Sequence, residues 1–136
     1  MTPSLTALAL YGLWTIILTL HIAVLRTVIT TKGQKAANEF APGAEDLGGY
    51  SQRLARAHAN CYENLPVFGA IILAAVLSGQ GAISDAWAMW ILYARIAQSV
   101  VHMATTSVPG VMIRFGLYLV QAVLLIIVTL KLLGIF

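Results

Sequence analysis

Four long apolar stretches make up most of this chain and restrict the folds open to it. They cover residues 5–29, 53–77, 86–105 and 111–133. Each is close to the ~20 residues that an α-helix needs to cross the hydrocarbon layer of a bilayer. Because backbone in lipid has no water to bond to, apolar spans of this length fold as helices. The pattern predicts an all-α fold, with residues 1–136 forming one integral membrane four-helix bundle.

The composition supports a membrane protein and argues against several other classes. The 136 residues are 60% hydrophobic and 10% charged, whereas soluble domains carry about 25% charge. The net charge of +3 does not indicate nucleic-acid binding, because the basic residues form no run and lie mostly at the ends of spans. Cys61 is the only cysteine, which excludes an intrachain disulfide and a cysteine metal site. His21 has no second ligand at i+4, so no metal site is predicted.

The distribution of Lys and Arg predicts how the bundle is oriented. Basic residues cluster around the connection at residues 30–52, whereas the connection at residues 78–85 contains none. Connections rich in Lys and Arg stay on the cytoplasmic side of a membrane. We therefore expect residues 30–52 to form a cytoplasmic loop and both termini to lie on the opposite side.

A polar stripe runs along the start of the second span. Arg56, Asn60 and Glu63 are spaced i, i+4, i+7 and share one helix face. Arg53 and Asn64 flank that face within roughly a 100° arc. Ionisable groups inside a span cost roughly 2.5–3.5 kcal/mol each on insertion scales and usually face a partner or a polar cavity. A row of such groups predicts a functional site.

The third and fourth spans carry polar stripes in the same half of the expected membrane. Their members are Arg95, Gln98 and His102 on the third span and Arg114, Tyr118 and Gln121 on the fourth. In one interpretation these groups only join helices, with Glu63 neutralising Arg95 or Arg114. In the other, the arginines outnumber one buried acid, and an anionic ligand supplies the missing charge. Arginine suits that role because its planar guanidinium binds carboxylates bidentately.

The segment RAHANCYENLPVF, residues 56–68, resembles the second helix of the MAPEG family, the membrane-associated proteins of eicosanoid and glutathione metabolism. The residues that match its Arg-Ala-(His/Gln)-x-Asn-x-x-Glu-x-x-Pro pattern are Arg56, Ala57, His58, Asn60, Glu63 and Pro66. YARIAQ at residues 93–98 is similar to the third-helix motif of the family. The spacing of Arg114 and Tyr118 is similar to its fourth helix.

The resemblance implies a homotrimer that binds glutathione, as a thiol co-substrate, between adjacent subunits near the cytoplasmic face. It implies a membrane-embedded glutathione transferase or glutathione-dependent peroxidase that acts on lipophilic small molecules. The compact chain resembles bacterial members, so a bacterial cytoplasmic membrane and its lipids are the expected surroundings. One branch of the family binds lipids without catalysis. A non-catalytic lipid- or glutathione-binding membrane scaffold is therefore the alternative.

Most of the candidate residues follow from the same resemblance. Arg95 and Gln98 come from the polar stripe of the third span, and the role of His102 is inferred from its side chain. Arg114 is expected to stabilise the glutathione thiolate, and Glu63 to face the α-amino group of the tripeptide. His102 stands where several family enzymes have a tyrosine, and we expect it to donate a hydrogen bond to the sulfur. The expected glutathione-binding residues are Arg26, Arg56, His58, Asn60, Glu63, Asn64, Arg95, Gln98 and Tyr118.

Overall fold

The computed structural model describes all residues, Met1–Phe136, and contains helices but no β-strand. The helices are α1 (Pro3–Thr31), α2 (Gly49–Leu77), α3 (Gly81–Asp85), α4 (Ala88–Ala104) and α5 (Val108–Leu132). This confirms the predicted all-α fold. α1, α2 and α5 are each long and apolar enough to cross a membrane. α4 has 17 residues, the lower limit of length for a membrane-spanning helix.

The helix boundaries differ from the predicted spans at both ends of α2. The expected loop at residues 30–52 is shorter, because α1 continues to Thr31 and α2 already begins at Gly49. Gly49 has a φ of +59°, a left-handed conformation that glycine adopts without a steric penalty. Beyond α2, the expected turn at residues 78–85 contains the short helix α3. The third predicted span, residues 86–105, is shortened to α4.

Buried residues repeat every seven positions along the first two helices. They are Ser4, Tyr11 and Leu18 on α1, and Leu54, Cys61, Phe68 and Ala75 on α2. A seven-residue repeat keeps one seam of a helix facing its neighbour when the two axes cross at about 20°. The rings of Tyr11 and Phe68 meet in this seam, with their centroids 5.3 Å apart. The repeat therefore explains why α1 packs against α2 along its length.

The outward surface of the bundle is apolar. Only 24 of the 136 residues are buried, and large hydrophobic side chains such as Leu20, Leu73 and Ile126 are exposed on the long helices. Soluble monomers rarely expose continuous apolar surface on this scale. The surface therefore suits contact with lipid or with a membrane-embedded partner.

One end of the bundle, here called the loop end, gathers the connection at residues 32–48 and the turn between α4 and α5. Arg53 ties α2 to this turn by donating from Nε to the backbone carbonyl of Met103 at 2.7 Å. Ser107 begins α5 by accepting from the amide of Gly110 at 3.3 Å. A Cβ at Gly110 would clash with Thr105, so the tight turn requires glycine. This turn places the start of α5 beside the end of α4.

Candidate functional site

Three helices bring polar residues together near the loop end. Asn60 on α2 lies against His102 on α4, with Asn60 Nδ2 3.2 Å from His102 Nδ1. The side chain of Gln98 donates to the backbone carbonyl of Arg114 at 3.1 Å and so holds the first turns of α5 against α4. We call Asn60, His102 and Arg114 the polar cluster. His102 on α4 and Arg114 at the start of α5, the two residues that the sequence predicts to act on the thiol, therefore lie at the same end of the bundle.

The hydrogen bond to Asn60 fixes the roles of the two nitrogens of His102. An amide Nδ2 only donates, so Nδ1 accepts and the ring proton lies on Nε2. His102 is 9% exposed, and Nε2 has no partner within the chain. An N–H group in this state is available to a ligand atom that enters the polar cluster.

Arg114 is half-buried, and its guanidinium is incompletely satisfied. Its Nε is shielded from solvent and has no hydrogen-bond partner. No carboxylate lies within ion-pair distance of the Arg114 guanidinium. The one ion pair of the chain joins Lys35 to Asp46 in the first connection. A partly buried cation without an anion is costly unless a ligand or a second chain supplies the charge. The polar cluster is therefore equipped to receive an anion.

Glu63 does not lie where the sequence interpretation placed it. It was expected to be the buried acid facing the arginines, but the structure exposes it on the outward face of α2, and Arg56 is exposed on the same face. The seven-residue repeat explains this, because each residue follows a buried position, Leu54 or Cys61, by two residues and so points about 200° away. Glu63 forms no ion pair with either Arg95 or Arg114 within the chain.

Two predicted ligand-binding residues face the protein's own backbone and side chains. Arg26 donates from Nη2 to the carbonyls of Ala41 at 3.0 Å and Pro42 at 3.3 Å, which anchors the first connection against α1. His58 lies with Nε2 2.9 Å from the hydroxyl of Thr19 on α1, as its position opposite the Arg56–Glu63 face predicts. Both residues lie outside the polar cluster in the isolated chain.

Gln98 is also engaged in helix packing. Besides its bond to α5, its Oε1 accepts from the side-chain amide of Gln121 at 3.1 Å in the buried interface between α4 and α5. Asn64 donates to the backbone carbonyl of Asn60, one turn earlier, at 2.8 Å. For Gln98 the packing interpretation of the polar stripes is therefore the better one.

An elongated apolar cavity of about 360 Å³ begins one helical turn away from the polar cluster. Asn64 and Tyr118 stand at its near end, and its far end reaches Leu130 on α5. Ten of its fourteen lining residues are hydrophobic. Asn64 and Tyr118 are also predicted glutathione-binding residues, so the near end of the cavity shares residues with the predicted site.

Arg95 lines this cavity and is nearly inaccessible, with 2% of its surface exposed. Its guanidinium carbon lies 5.9 Å from the centre of the Tyr11 ring, and its Nε has no hydrogen-bond partner. A desolvated cation–π contact contributes about 2 kcal/mol, whereas burying an ion costs several kcal/mol. The contact with Tyr11 therefore does not compensate for burial of the charge. Tyr11 was not predicted to be a site residue, although its place in the seven-residue repeat indicates that it points inward.

The sequence profile of the MAPEG family matches residues 4–134 of the chain. Neither individually characterised proteins nor solved structures gave a significant match. The family match covers nearly the whole chain and agrees with its helices of membrane-spanning length. It also agrees with the helix-two pattern around Asn60 and Glu63. The chain therefore belongs to the MAPEG family.

Proposed function

We propose that this protein is a membrane-embedded glutathione transferase or peroxidase that activates the glutathione thiol for attack on lipophilic electrophiles or hydroperoxides. The MAPEG family includes glutathione-dependent enzymes of both kinds. The observation that carries the proposal is the polar cluster, in which Arg114 has an unpaired guanidinium Nε and His102 a free Nε2. An apolar cavity begins one helical turn away, at Asn64 and Tyr118.

The charges near the polar cluster suit glutathione, which carries two carboxylates, one ammonium group and a thiol. Arg56 and Glu63 are exposed on one face of α2 and form no ion pair with each other or with any other residue of the chain. Arg56 would bind a carboxylate bidentately, Glu63 would bind the ammonium group, and Asn60 would hold the peptide between them. Tyr118, one turn beyond Arg114, would contact the peptide from α5.

The chemistry requires the thiol to lose its proton near neutral pH. A free thiol has a pKa near 8.5, so only a few per cent is ionised at pH 7. Arg114 beside the sulfur would favour the anion, because an opposite charge at close range in a poorly solvated site stabilises it. His102 would donate from Nε2 to the same sulfur and limit its positions. No covalent enzyme intermediate is needed.

The lipophilic partner would reach the sulfur from the cavity. In conjugation, the thiolate electron pair forms a new carbon–sulfur bond, and the leaving group departs with its bonding electrons or a strained ring opens and takes up a proton. In peroxide reduction, the thiolate attacks the outer oxygen, the O–O bond breaks, and a sulfenic acid forms. The alkoxide that leaves takes up a proton from water and becomes the alcohol. A second glutathione then converts the sulfenic acid to the disulfide and water.

The experiment that tests glutathione binding is calorimetric titration of the detergent-solubilised protein. We expect saturable binding in the wild-type protein and a large loss of affinity in Glu63→Gln, because the ligand ammonium loses its carboxylate partner. Glu45→Gln is the matched control, since Glu45 is exposed in the first connection. Absence of glutathione binding in the wild-type protein would overturn the proposal.

Catalysis is tested separately with a chromogenic electrophile. Arg114→Ala should abolish conjugation while the oligomer stays intact in size-exclusion chromatography. Unchanged turnover would remove Arg114 from the mechanism.

A non-catalytic lipid- or glutathione-binding scaffold is the second candidate, because most of the cavity lining is apolar and suits a passive lipid. Glutathione binding without thiolate absorbance, and without turnover of several electrophiles, would favour this function. The two functions share one site and differ only in whether the sulfur is ionised there.

We also propose that the protein acts as a homotrimer in a bacterial cytoplasmic membrane, with both termini away from the cytoplasm. The homotrimer is supported by the unpaired charges of Arg56 and Glu63 on an outward face of α2. Ionisable residues within a span usually face a partner or a polar cavity and not lipid. A neighbouring subunit would provide that partner and complete the glutathione site. Mass measurement of the detergent-solubilised protein, together with cysteine accessibility at the termini, tests this proposal.

A further inference from the structure

A second cavity, of about 210 Å³, lies at the loop end between α1 and the first connection. Its lining residues are Arg26, Thr27, Thr30, Thr31, Ala37 and Phe40. None of them lines the apolar cavity or belongs to the polar cluster. Arg26 is the only charged residue of the lining, so this second cavity presents one cation and no acid.

The guanidinium of Arg26 keeps donors that the chain does not use. Its Nη2 donates to the carbonyls of Ala41 and Pro42, and no hydrogen bond within the chain involves Nη1. Its Nε is shielded from solvent and has no hydrogen-bond partner. No carboxylate pairs with it, and the Phe40 ring lies over it with its centre 5.3 Å from Cζ. Arg26 is therefore held in place with an uncompensated charge at the wall of the second cavity.

The threonines of the lining differ in whether their hydroxyl proton is free. Thr27 donates to the carbonyl of Ala23 at 2.9 Å, and Thr31 donates to that of Val28 at 3.0 Å. The hydroxyl of Thr30 makes no hydrogen bond within the chain and lines the same cavity as the guanidinium. A guanidinium and a free hydroxyl on one wall suit the oxygens of a phosphate group.

The end of α1 does not prevent an anion from binding here. The negative end of a helix dipole disfavours anions, because the last carbonyls are without partners. In this helix the amides of residues 32–34 donate to the carbonyls of Val28, Ile29 and Thr30. Lys32, exposed directly after the helix, adds a further positive charge. The charge of Arg26 is therefore not cancelled by the end of its own helix.

The second cavity continues an exposed stripe of α1. The stripe has spacing i, i+4, i+7, i+11, which keeps its members on one helix face, and its exposed members are Leu20, Val24, Thr27 and Thr31. Ile16, also exposed, extends the stripe away from the cavity. The path from Thr27 to Ile16 measures about 16 Å along the helix, close to half of the ~30 Å hydrocarbon core of a bilayer. An apolar track of one leaflet's depth therefore leads away from the cavity.

We propose that the second cavity binds the phosphate of an anionic phospholipid, with its oxygens on Arg26 and Thr30 and an acyl chain along the exposed stripe of α1. Basic pockets on the cytoplasmic side of membrane proteins bind anionic headgroups. The lining has no acid to receive an ammonium group, and the Phe40 ring already lies near Arg26 and Lys35. The site therefore selects a phosphate without a neighbouring cation. The proposal does not depend on glutathione binding.

The test is native mass spectrometry of the detergent-solubilised wild-type protein without glutathione. The protein is titrated with dioleoyl phosphatidylglycerol and, separately, with dioleoyl phosphatidylcholine. The two lipids share their acyl chains and phosphate, and only the second carries a positive choline. We expect one tightly bound phosphatidylglycerol per chain, with an affinity at least about fivefold higher than that of phosphatidylcholine, because one basic residue near the membrane surface contributes about that factor.

Two matched pairs of variants locate the site. Thr30→Val should lower the affinity for phosphatidylglycerol at least about threefold, because it removes a free hydroxyl donor. Thr27→Val is its control, since that hydroxyl proton is already donated to Ala23. Arg26→Gln should remove the preference for phosphatidylglycerol. Lys131→Gln, which removes an exposed positive charge at the opposite end of the bundle, should keep it.

The outcomes distinguish this site from the proposed function. Equal affinities for the two lipids in the wild-type protein would overturn the proposal, and so would equal affinities of Thr30→Val and Thr27→Val for phosphatidylglycerol. Inorganic phosphate that displaces the lipid at equal concentration would assign the cavity to a soluble phosphate and overturn the assignment to a lipid. Displacement by glutathione would return Arg26 to the glutathione site and overturn it as well. Selective binding of phosphatidylglycerol by a protein that binds no glutathione would support this proposal and contradict the proposed function.

Discussion

Asn60 on α2 and His102 on α4 form a hydrogen bond of 3.2 Å between Nδ2 and Nδ1, which links two polar stripes that are far apart in the sequence. Because the amide donates, the proton of His102 lies on Nε2. The bond therefore does more than join two helices, since it prepares His102 to donate at the place where the proposed thiolate would lie.

Replacing His102 should slow the reaction more than it weakens binding. We expect His102→Phe to lower kcat for conjugation by about tenfold to a hundredfold, the worth of a hydrogen bond to a charged group, with the glutathione Kd nearly unchanged. Loss of the Nε2 donor removes an interaction with the ionised sulfur, whereas the charged ends of glutathione keep their partners. His21→Phe is the control, because the His21 ring contacts the Tyr50 ring at a tilted angle and lies outside the polar cluster. Equal kcat values in the two variants would limit His102 to a packing role.

Replacing Arg114 should change the pH dependence of the proposed reaction. A guanidinium favours the thiolate, so its presence lowers the pKa of the bound thiol below the free value near 8.5. Arg114→Gln should raise that pKa by about one unit or more, and the rising limb of kcat/KM should move to higher pH. Titration of the ultraviolet absorbance of the bound thiolate measures the shift directly. Identical titration curves for the wild-type protein and the variant would contradict this role.

The sequence predicted the helices and much of the polar cluster because both depend on local spacing. The long apolar stretches define the helices, and the shared arc on α4 groups Arg95 with His102, both of which are buried. Face-sharing alone does not reveal which face is inward, and for this reason Glu63 was misplaced. The seven-residue repeat through Leu54 and Cys61 does reveal the inward face of α2. These buried residues lie two positions before Arg56 and Glu63, which therefore point outward.

Other features lie beyond what spacing along one helix can predict. The contacts of Arg26 depend on the path of the first connection, where a left-handed residue at Ala44, with φ of 60°, helps to turn the chain. The cavity beside Arg95 depends on the distance between α2 and α5 in the part of the bundle away from the loop end. Both are properties of tertiary packing, and no local pattern of residues encodes them.

Gln98 should affect stability, because the structure places it in helix packing. Gln98→Leu removes its bonds to the Arg114 carbonyl and to Gln121. Hydrogen bonds between membrane helices contribute about 0.6 to 2 kcal/mol, so we expect destabilisation of about 1 kcal/mol in a reversible unfolding assay in detergent. Gln80→Ala, at an exposed position in the turn before α3, should have little effect. A strong fall in glutathione affinity without any loss of stability would instead make Gln98 a ligand.

The first connection should lose order in acid. Lys35 pairs with Asp46, whose carboxylate also accepts from the amide of Ala41 at 3.2 Å. The hydrogen bond from Lys35 is the main reason that the pKa of Asp46 lies below its ordinary value of 3.8. A lowered pKa means that the pair stabilises the fold above the unfolded value of 3.8 and ceases to do so as the pH falls through the folded value.

Nuclear magnetic resonance titration of the Asp46 carboxyl measures this effect. Lys35→Met should move the pKa of Asp46 back towards 3.8, because the variant removes the cationic donor and keeps a side chain of similar length. Limited proteolysis at neutral pH should then cut the connection faster than in the wild-type protein, because the variant lacks the pair at every pH. An unchanged Asp46 titration in the variant would show that the pair does not form in solution.

The start of α2 should require glycine at one position and tolerate alanine at its neighbour. Gly49 has a φ of +59°, whereas Gly48 has a φ of −90°. A Cβ at either position would meet no atom within 4 Å, so the two sites differ in backbone conformation and not in space. A left-handed conformation costs a residue with a Cβ roughly 1–2 kcal/mol. Gly49→Ala should therefore destabilise the protein by about 1–2 kcal/mol.

Gly48→Ala serves as the matched control. Alanine adopts a φ of −90° without strain and restricts the unfolded chain more than glycine does. Gly48 is the N-cap of α2, where alanine is less favourable than glycine, so the two effects oppose each other and the variant should be nearly neutral. Both variants are measured in the same detergent unfolding assay. Because Arg53 and Arg56 follow on the first turns of α2, the Gly49→Ala variant should also weaken glutathione binding if the helix start shifts. Equal stability of the two variants would mean that α2 begins without a left-handed residue, and that the helix start does not depend on glycine.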